Sequence, residues 1–193
     1  VEGAVVIVGT GALGSHLVLL ARNWPHPLKV VDFDKVEQKN ILSQFHTKMG
    51  LGRNKAQALQ QAMQGMFGTK IEVVPHRLTP DNAQVILGGT ALVIDCTDNA
   101  AARRTIQAFV RKEGIPCLHG CLSAAGDFAR IVWDEHFKED EEGTKGAATC
   151  EDGDNLPFHA LAAAQIALNA QLFIKTGAKR STMLTPSQSI RLA

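Results

Sequence analysis

Excess charge of either sign is absent: 20 Lys and Arg face 19 Asp and Glu, for a formal net charge of +1. A nucleic acid or an acidic membrane surface is therefore not an expected partner. No apolar run approaches the roughly 20 residues that a spanning helix needs, so no membrane span is expected. No charged and apolar leader precedes Val5, so no secretion signal is expected. A chain that opens on Val1 instead of methionine is expected to lack some leading residues. Cysteines are few (Cys96, Cys117, Cys121 and Cys150), and no two are spaced as CxxC. Zinc knuckles and thioredoxin-like redox pairs are thus unsupported. Such thiols in an enzyme-like chain read as reduced, which implies a cytoplasmic protein, with disulfides the alternative that an even count allows.

What is present is globular: 193 residues, 45% apolar and 20% charged. One domain spanning 1–193 is expected, without internal repeats or a dividing linker. Short apolar runs predict strands at Ala4–Val8, Leu28–Asp32, Lys70–Pro75, Ala91–Asp95 and Pro116–Gly120. Segments of helical period lie between them: Gly14 to about Asn23, Asn54–Phe67, Pro80–Leu87 and Asn99–Lys112. This alternation predicts an α/β fold, a Rossmann-like and mostly parallel sheet with helices on both faces. Gly126–Trp133 alternates weakly, which adds antiparallel strand toward the C-terminus. The polar stretch 134–156 follows, then Phe158–Lys175, a helix apolar nearly all round and so expected to be buried.

The strongest local motif is Gly9-Thr10-Gly11-Ala12-Leu13-Gly14, directly after a strand and opening a helix. Its glycines, Gly9, Gly11 and Gly14, permit a tight turn and let backbone N–H groups approach a phosphate. Asp32 ends the second strand, where an acid binds ribose hydroxyls in this fold. Alone, these features read as a nicotinamide dehydrogenase, or as a glycine turn without a ligand. The residues beyond them point elsewhere. Asp32-Phe33-Asp34 leads to Asn40 and Gln44, Lys55 opens a helix, and Asp95-Cys96-Thr97-Asp98-Asn99 ends another strand with Arg103 one turn on. Acids, amides and a lysine converging on a nucleotide suit ATP chemistry, where Mg²⁺ takes carboxylate and phosphate oxygens and lysine offsets phosphate charge.

In these elements the chain resembles, over nearly its whole length, the ThiF/MoeB/HesA and ubiquitin-activating enzyme superfamily of adenylyltransferases. The G-x-G-G-L-G-S loop appears as Gly9–Ser15 with one substitution, D-x-D-x-V-E-x-x-N-L-x-R-Q as Asp32–Gln44, the lysine as Lys55, and D-x-T-D-N-x-x-x-R as Asp95–Arg103. The resemblance implies ATP and Mg²⁺ as cofactors. Asp32 would hold the ribose, Asp98 with Asp34 the metal, and Asn40 and Lys55 the phosphates. Gln44 would support that loop, and Asn99 and Arg103 would belong to the same nucleotide set. Read singly, Lys55 is a solvated helix-start lysine, Asn40 a turn residue and Arg103 an ion-pair partner on a surface helix. Ser43 stands where the family pattern has a triphosphate-binding arginine, which leaves that task to Lys55, Arg53 or a residue elsewhere, or marks a non-catalytic partner subunit.

The same resemblance places a reactive cysteine in a crossover loop, here about 134–156. Thr149-Cys150, followed by Pro157 and an Ala-rich helix, matches it, so Cys150 is the implied acyl acceptor, with a plain loop thiol as the alternative. Cys121 is a secondary candidate. Cys96 and Cys117 read as small buried hydrophobes and His119 as a hydrogen-bonded pocket residue. The implied activity is adenylation of the C-terminal carboxylate of a ubiquitin-like or sulfur-carrier protein, then thioester transfer, by a homodimer that could pass its cargo to a downstream conjugating enzyme. The alternatives are a peptide or other small carboxylate, and an NAD-binding oxidoreductase. The family's paired CxxC zinc site is missing.

Overall fold

The computed structural model describes residues 2–123, 125–138 and 153–192. Eight strands form one sheet in the order β3-β2-β1-β4-β5-β6-β7-β8. β1 (Val5–Val8), β2 (Leu28–Val31), β3 (Ile71–Val74), β4 (Leu92–Asp95) and β5 (Cys117–Leu122) run parallel. β6 (Ala129–Trp133), β7 (Ser181–Thr185) and β8 (Gln188–Leu192) continue the sheet antiparallel. The Rossmann-like α/β expectation holds, including the antiparallel strands toward the C-terminus.

β1 reads as an unbroken apolar run because both of its faces are covered. Val5 and Ile7 point into one core, with Leu17, Leu59 and Ile166, while Val6 and Val8 point into the other, with Ile86, Ile106 and Val110. The first core lies under α1 (Gly14–Leu20), α3 (Lys55–Phe67) and α6 (Leu156–Thr176), the second under α4 (Ala83–Leu87) and α5 (Ala100–Glu113). One short helix, α2 (Asn40–Ser43), lies against α6.

Three sequence expectations need correction. α6 is not buried all round: Ala162, Ala163, Ile166 and Ala170 are fully buried, but Leu161 and Leu168 are about half exposed. An Ala- and Leu-rich helix carries no polar stripe to mark its outer face. α4 starts at Ala83 and not Pro80, because the Asn82 side chain accepts from the Thr79 backbone N–H at 2.8 Å and holds 79–82 as a turn. β5 runs on to Leu122, so Cys121 lies within a strand. Most of the 134–156 stretch, Cys150 included, lies outside the described residues.

Candidate active site

β1 and β4 are neighbours, yet the chain leaves β1 toward β2 on one side and reaches β5 from β4 on the other. The strand order thus reverses between β1 and β4, where open α/β sheets form a crevice at the strand C-termini. The glycine loop fills the rim of that crevice. Gly9 has φ +86°, and a Cβ there would lie 2.9 Å from the Cys96 carbonyl oxygen. A Cβ on Gly14 would lie 1.8 Å from the Gly9 carbonyl oxygen, so only glycine fits either place. Gly11 differs: its hydrogen faces open space, with only the Gln44 side-chain nitrogen at 4.0 Å. That opening is where a phosphate could approach the backbone.

Asp32 organises one wall. Its Oδ2 accepts from the Thr10 N–H and hydroxyl, each at 2.7 Å, and its Oδ1 accepts from the Asp34 N–H at 2.8 Å. Asn54 donates to the Asp32 carbonyl at 2.8 Å and caps α3 by accepting from Gln57 N–H at 3.1 Å. Lys55 follows, and it is not a solvated lysine: it is 8% exposed, with Nζ 4.0 Å from Asp34 Oδ2. The Asp34 carboxyl is pushed above its ordinary value, first by partial burial, then by the charge of Asp32, with Asp98 adding and Lys55 and Arg77 opposing. Carboxylates that raise one another in this way favour a cation between them. Among the described residues no group of three or more His, Cys, Asp or Glu is assembled to hold a metal alone. A metal here would need oxygens from a bound phosphate. Arg77 lies 3.8 Å over the exposed Phe33 ring. Arg53 is turned outward to Gln61.

The segment 40–46 forms the opposite wall. The buried Asn40 accepts from Glu37 N–H at 2.8 Å, the bond expected of a turn residue. Ser43 is 0% exposed, so the position that carries arginine in the family pattern faces the interior here. Gln44 Oε1 is buried and makes no hydrogen bond, consistent with an amide set to receive a ligand donor or water. His46 Nε2 donates to the Thr10 carbonyl at 2.9 Å, and Ser15 Oγ donates to the Gly11 carbonyl at 2.7 Å while accepting from Phe45 N–H at 2.9 Å. Sequence reasoning passes over Thr10, Ser15, His46 and Arg77. Only Ser15 carries a signal, as the residue closing the glycine motif.

At the end of β4, Asp95 is wholly buried and its carboxylate is saturated. Oδ1 accepts from the Thr97 N–H (2.9 Å) and hydroxyl (2.6 Å), and Oδ2 from Arg103 Nε (3.1 Å) and His119 Nδ1 (2.7 Å). Arg103 also donates to the Thr97 carbonyl. Its ion pair is therefore with a buried acid and not on an open helix surface. Asn99 caps α5 by accepting from Ala102 N–H at 3.1 Å. Asp98, between them, is exposed at the crevice mouth.

His119 continues inward, as a hydrogen-bonded pocket residue. Its Nε2 lies 3.1 Å from Asp134 Oδ1, and Asp134 also accepts from Arg111 Nε (2.7 Å) and Gln107 (3.0 Å). Burial alone would lower the imidazole's pKa, but the bonds to Asp134 and Asp95 outweigh it and raise it to about 11. Burial would likewise raise both carboxyls, yet the His119 bonds, with Arg103 on Asp95 and Arg111 on Asp134, hold them below the usual range. The imidazolium contribution to stability is complete below the unfolded histidine value of 6.5 and is lost as pH rises toward about 11. The carboxylate contribution is complete above 3.8 and is lost as pH falls. Thermal stability is expected to peak between those values and to fall on the alkaline side by at most roughly 1.4 kcal/mol per pH unit. A melting temperature that stays level from pH 6.5 to about 9 would contradict this.

Burial raises the thiols of Cys96 and Cys117, as expected of small core residues. It raises Cys121 too, the opposite of what a ready nucleophile needs.

The architecture is that of a Rossmann-like domain whose polar residues gather at the sheet's switch point. The chain belongs to the ThiF family, whose model matches residues 2–171. It is 33% identical over 121 residues to the SAMP-activating enzyme E1 of Haloferax volcanii, covering 61% of this chain and 45% of that one. To the sulfur carrier protein adenylyltransferase of Thermus thermophilus it is 32% identical over 124 residues, 63% of this chain and 46% of the other. The chain thus spans about half the length of these curated relatives. Among solved structures, E. coli MccB with MccA-N7isoASN superposes with a TM-score of 0.79 at 13% identity, over 99% of this chain and 63% of that one, a likeness of fold. Among the described residues no helix is long and apolar enough to cross a membrane.

Proposed function

We propose that this chain is a ThiF-type adenylation domain, ATP-dependent and cytoplasmic, that activates the C-terminal carboxylate of a ubiquitin-like or sulfur-carrier protein. The observation that carries this reading is that Asp34 stands within the electrostatic reach of Asp32, buried Lys55 and Asp98, at a switch point whose glycine loop leaves Gly11 facing open space. The family relatives named as adenylyltransferases support it.

In the reaction, a carboxylate oxygen of the partner attacks the α-phosphorus of ATP. The bond from that phosphorus to the bridging oxygen breaks, and pyrophosphate leaves with the electron pair. The product is an acyl-adenylate, whose AMP is a good leaving group. No proton transfer is required, so catalysis rests on alignment and charge. Asp32 would accept from ribose hydroxyls, using acceptor positions that Thr10 and Asp34 leave open. Backbone at Gly11 and the Lys55 ammonium would meet the phosphates. Asp98 and Asp34 would hold Mg²⁺, which supplies charge neutralisation at the triphosphate. Gln44 would face the same phosphates through its amide, with Asn40 holding that wall in place. Asn99 and Arg103 would act through the Asp95–Asp98 turn that they cap and brace.

ATP–pyrophosphate exchange tests the reading, with a purified ubiquitin-like or sulfur-carrier protein, its tail-truncated form and short peptides as carboxylates. Exchange that depends on an intact protein tail supports it. Exchange with peptides alone transfers the substrate class to peptides. No exchange with any of them, together with NAD binding, would sink it.

In a second step, the Cys150 thiolate would attack the adenylated carbonyl and release AMP, forming a thioester for transfer to a conjugating partner. Cys150→Ala is then expected to keep pyrophosphate exchange and to lose a reductant-sensitive adduct on a non-reducing gel. An adduct that survives the substitution would refute the assignment. The exposed Leu161 and Leu168 on α6 offer apolar surface for a homodimer. Light scattering should give twice the chain mass, and a monomer at every concentration would exclude that arrangement.

A further inference from the structure

The chain Arg103–Asp95–His119–Asp134–Arg111, buried at its two carboxylates and imidazole and open to solvent at Arg111, has no direct role in that reaction, and its cost asks for a reason. Removing ions from water to a wholly buried place is expensive, and well-packed apolar residues often serve stability as well or better. Every polar atom of His119 is engaged. Nδ1 faces Asp95 at 2.7 Å and Nε2 faces Asp134 at 3.1 Å. Both partners are acceptors already taking bonds from arginine, so each ring nitrogen must carry a proton. Among the described residues, every packed element contributes to its surroundings. β4 supplies Asp95, β5 the Cys117 sulfur at 3.6 Å, α5 Arg103, Gln107 and Arg111, and the 134–136 turn Asp134. Phe137 stacks on the ring at 4.2 Å and lies under the Arg103 and Arg130 guanidinium groups.

The consequence lies at Asp95. Two of its four bonds fasten Thr97, the residue before Asp98, and the other two fix the carboxylate's rotation. We propose that His119, as an imidazolium bridging Asp95 and Asp134, is a positioning residue that fixes the 95–98 turn presenting Asp98 and joins it to the 134–136 turn. This rests on the adenylation reading only for its kinetic consequence. The structural part stands without nucleotide.

His119→Gln is the direct probe. Its amide can donate to Asp95 but then turns an oxygen toward Asp134. In the double variant His119→Gln/Asp134→Asn, the amide introduced at position 134 can donate to that oxygen, which rebuilds an uncharged chain to Asp95. Hydrogen exchange of the nucleotide-free protein should show the Thr97 amide deprotected in the single variant while Val93 and Ile94 stay protected. Protection should return in the double variant. In the exchange assay, the single variant should need on the order of 10-fold more Mg²⁺ for half-maximal rate, with a smaller change at saturation, and the double variant should recover. A folded His119→Gln variant with Thr97 still protected and an unchanged Mg²⁺ requirement would overturn the proposal, as would a double variant that regains melting temperature but not Thr97 protection. If the single variant fails to fold, nitrogen NMR of the wild type decides: two protonated ring nitrogens on His119 at pH 8 support the bridge, and a neutral ring overturns it. Lack of exchange activity in the wild type would refute adenylation and leave the hydrogen-exchange and NMR results to judge the bridge.

Discussion

Asp98→Ala is expected to abolish ATP–pyrophosphate exchange while leaving the thermal transition where it was. The two halves of that expectation have separate causes. Asp98 is exposed at the crevice mouth, and no hydrogen bond of the turn runs through its side chain. Its loss therefore opens no cavity and orphans no partner, and exposed substitutions of this kind usually shift stability by less than about 0.5 kcal/mol. Asp34 alone would remain to hold the metal, at a carboxyl already pushed up by burial and by Asp32. A single carboxylate offers Mg²⁺ fewer oxygens and less charge than a pair does. The measurement is exchange at saturating ATP together with a melting curve. Wild-type exchange in the variant would remove Asp98 from the metal site.

Lys55→Ala should lower exchange by roughly 10²–10³, the scale for deleting one electrostatic donor aimed at developing charge. Burial raises the stakes here. At 8% exposure the ammonium acts with little solvent screening, and Arg53 is turned away toward Gln61. Alanine would also remove packing from the start of α3. Lys55→Met keeps most of the stem and isolates the charge. If charge is what counts, methionine and alanine variants lose comparable activity, and only alanine loses stability. A methionine variant with near-normal exchange would return Lys55 to a packing role.

The parallel half of the sheet was legible because β1, β2 and β4 are covered on both faces and so read as apolar runs. β7 was not, since Ser181–Thr185 offers a mixed polar strand with no such run. Lys55 was found only through motif order; its burial depends on α3 docking against the 34–36 segment, which no local pattern announces. Ser43 could be seen to replace an arginine, but not to point inward. The His119 chain was out of reach for a topological reason. Its members lie 24 and 15 residues apart and meet because β5 pairs parallel with β4 and antiparallel with β6. No periodicity within a window of helix or strand length links them.

Asp95 and Asp98 stand in the same turn, one with all its acceptor capacity directed inward and the other with none of it committed. A genetic screen that scores only function would rank both as intolerant and could assign them one role. Inside a cell the two failures would differ. Loss of Asp95 leaves His119, Arg103 and Thr97 without their shared acceptor, and a destabilised chain is cleared by proteases and falls in abundance. Loss of Asp98 would leave normal amounts of an inert protein, able to occupy whatever partner the active form engages. The first allele would be recessive, and the second could interfere with the wild type.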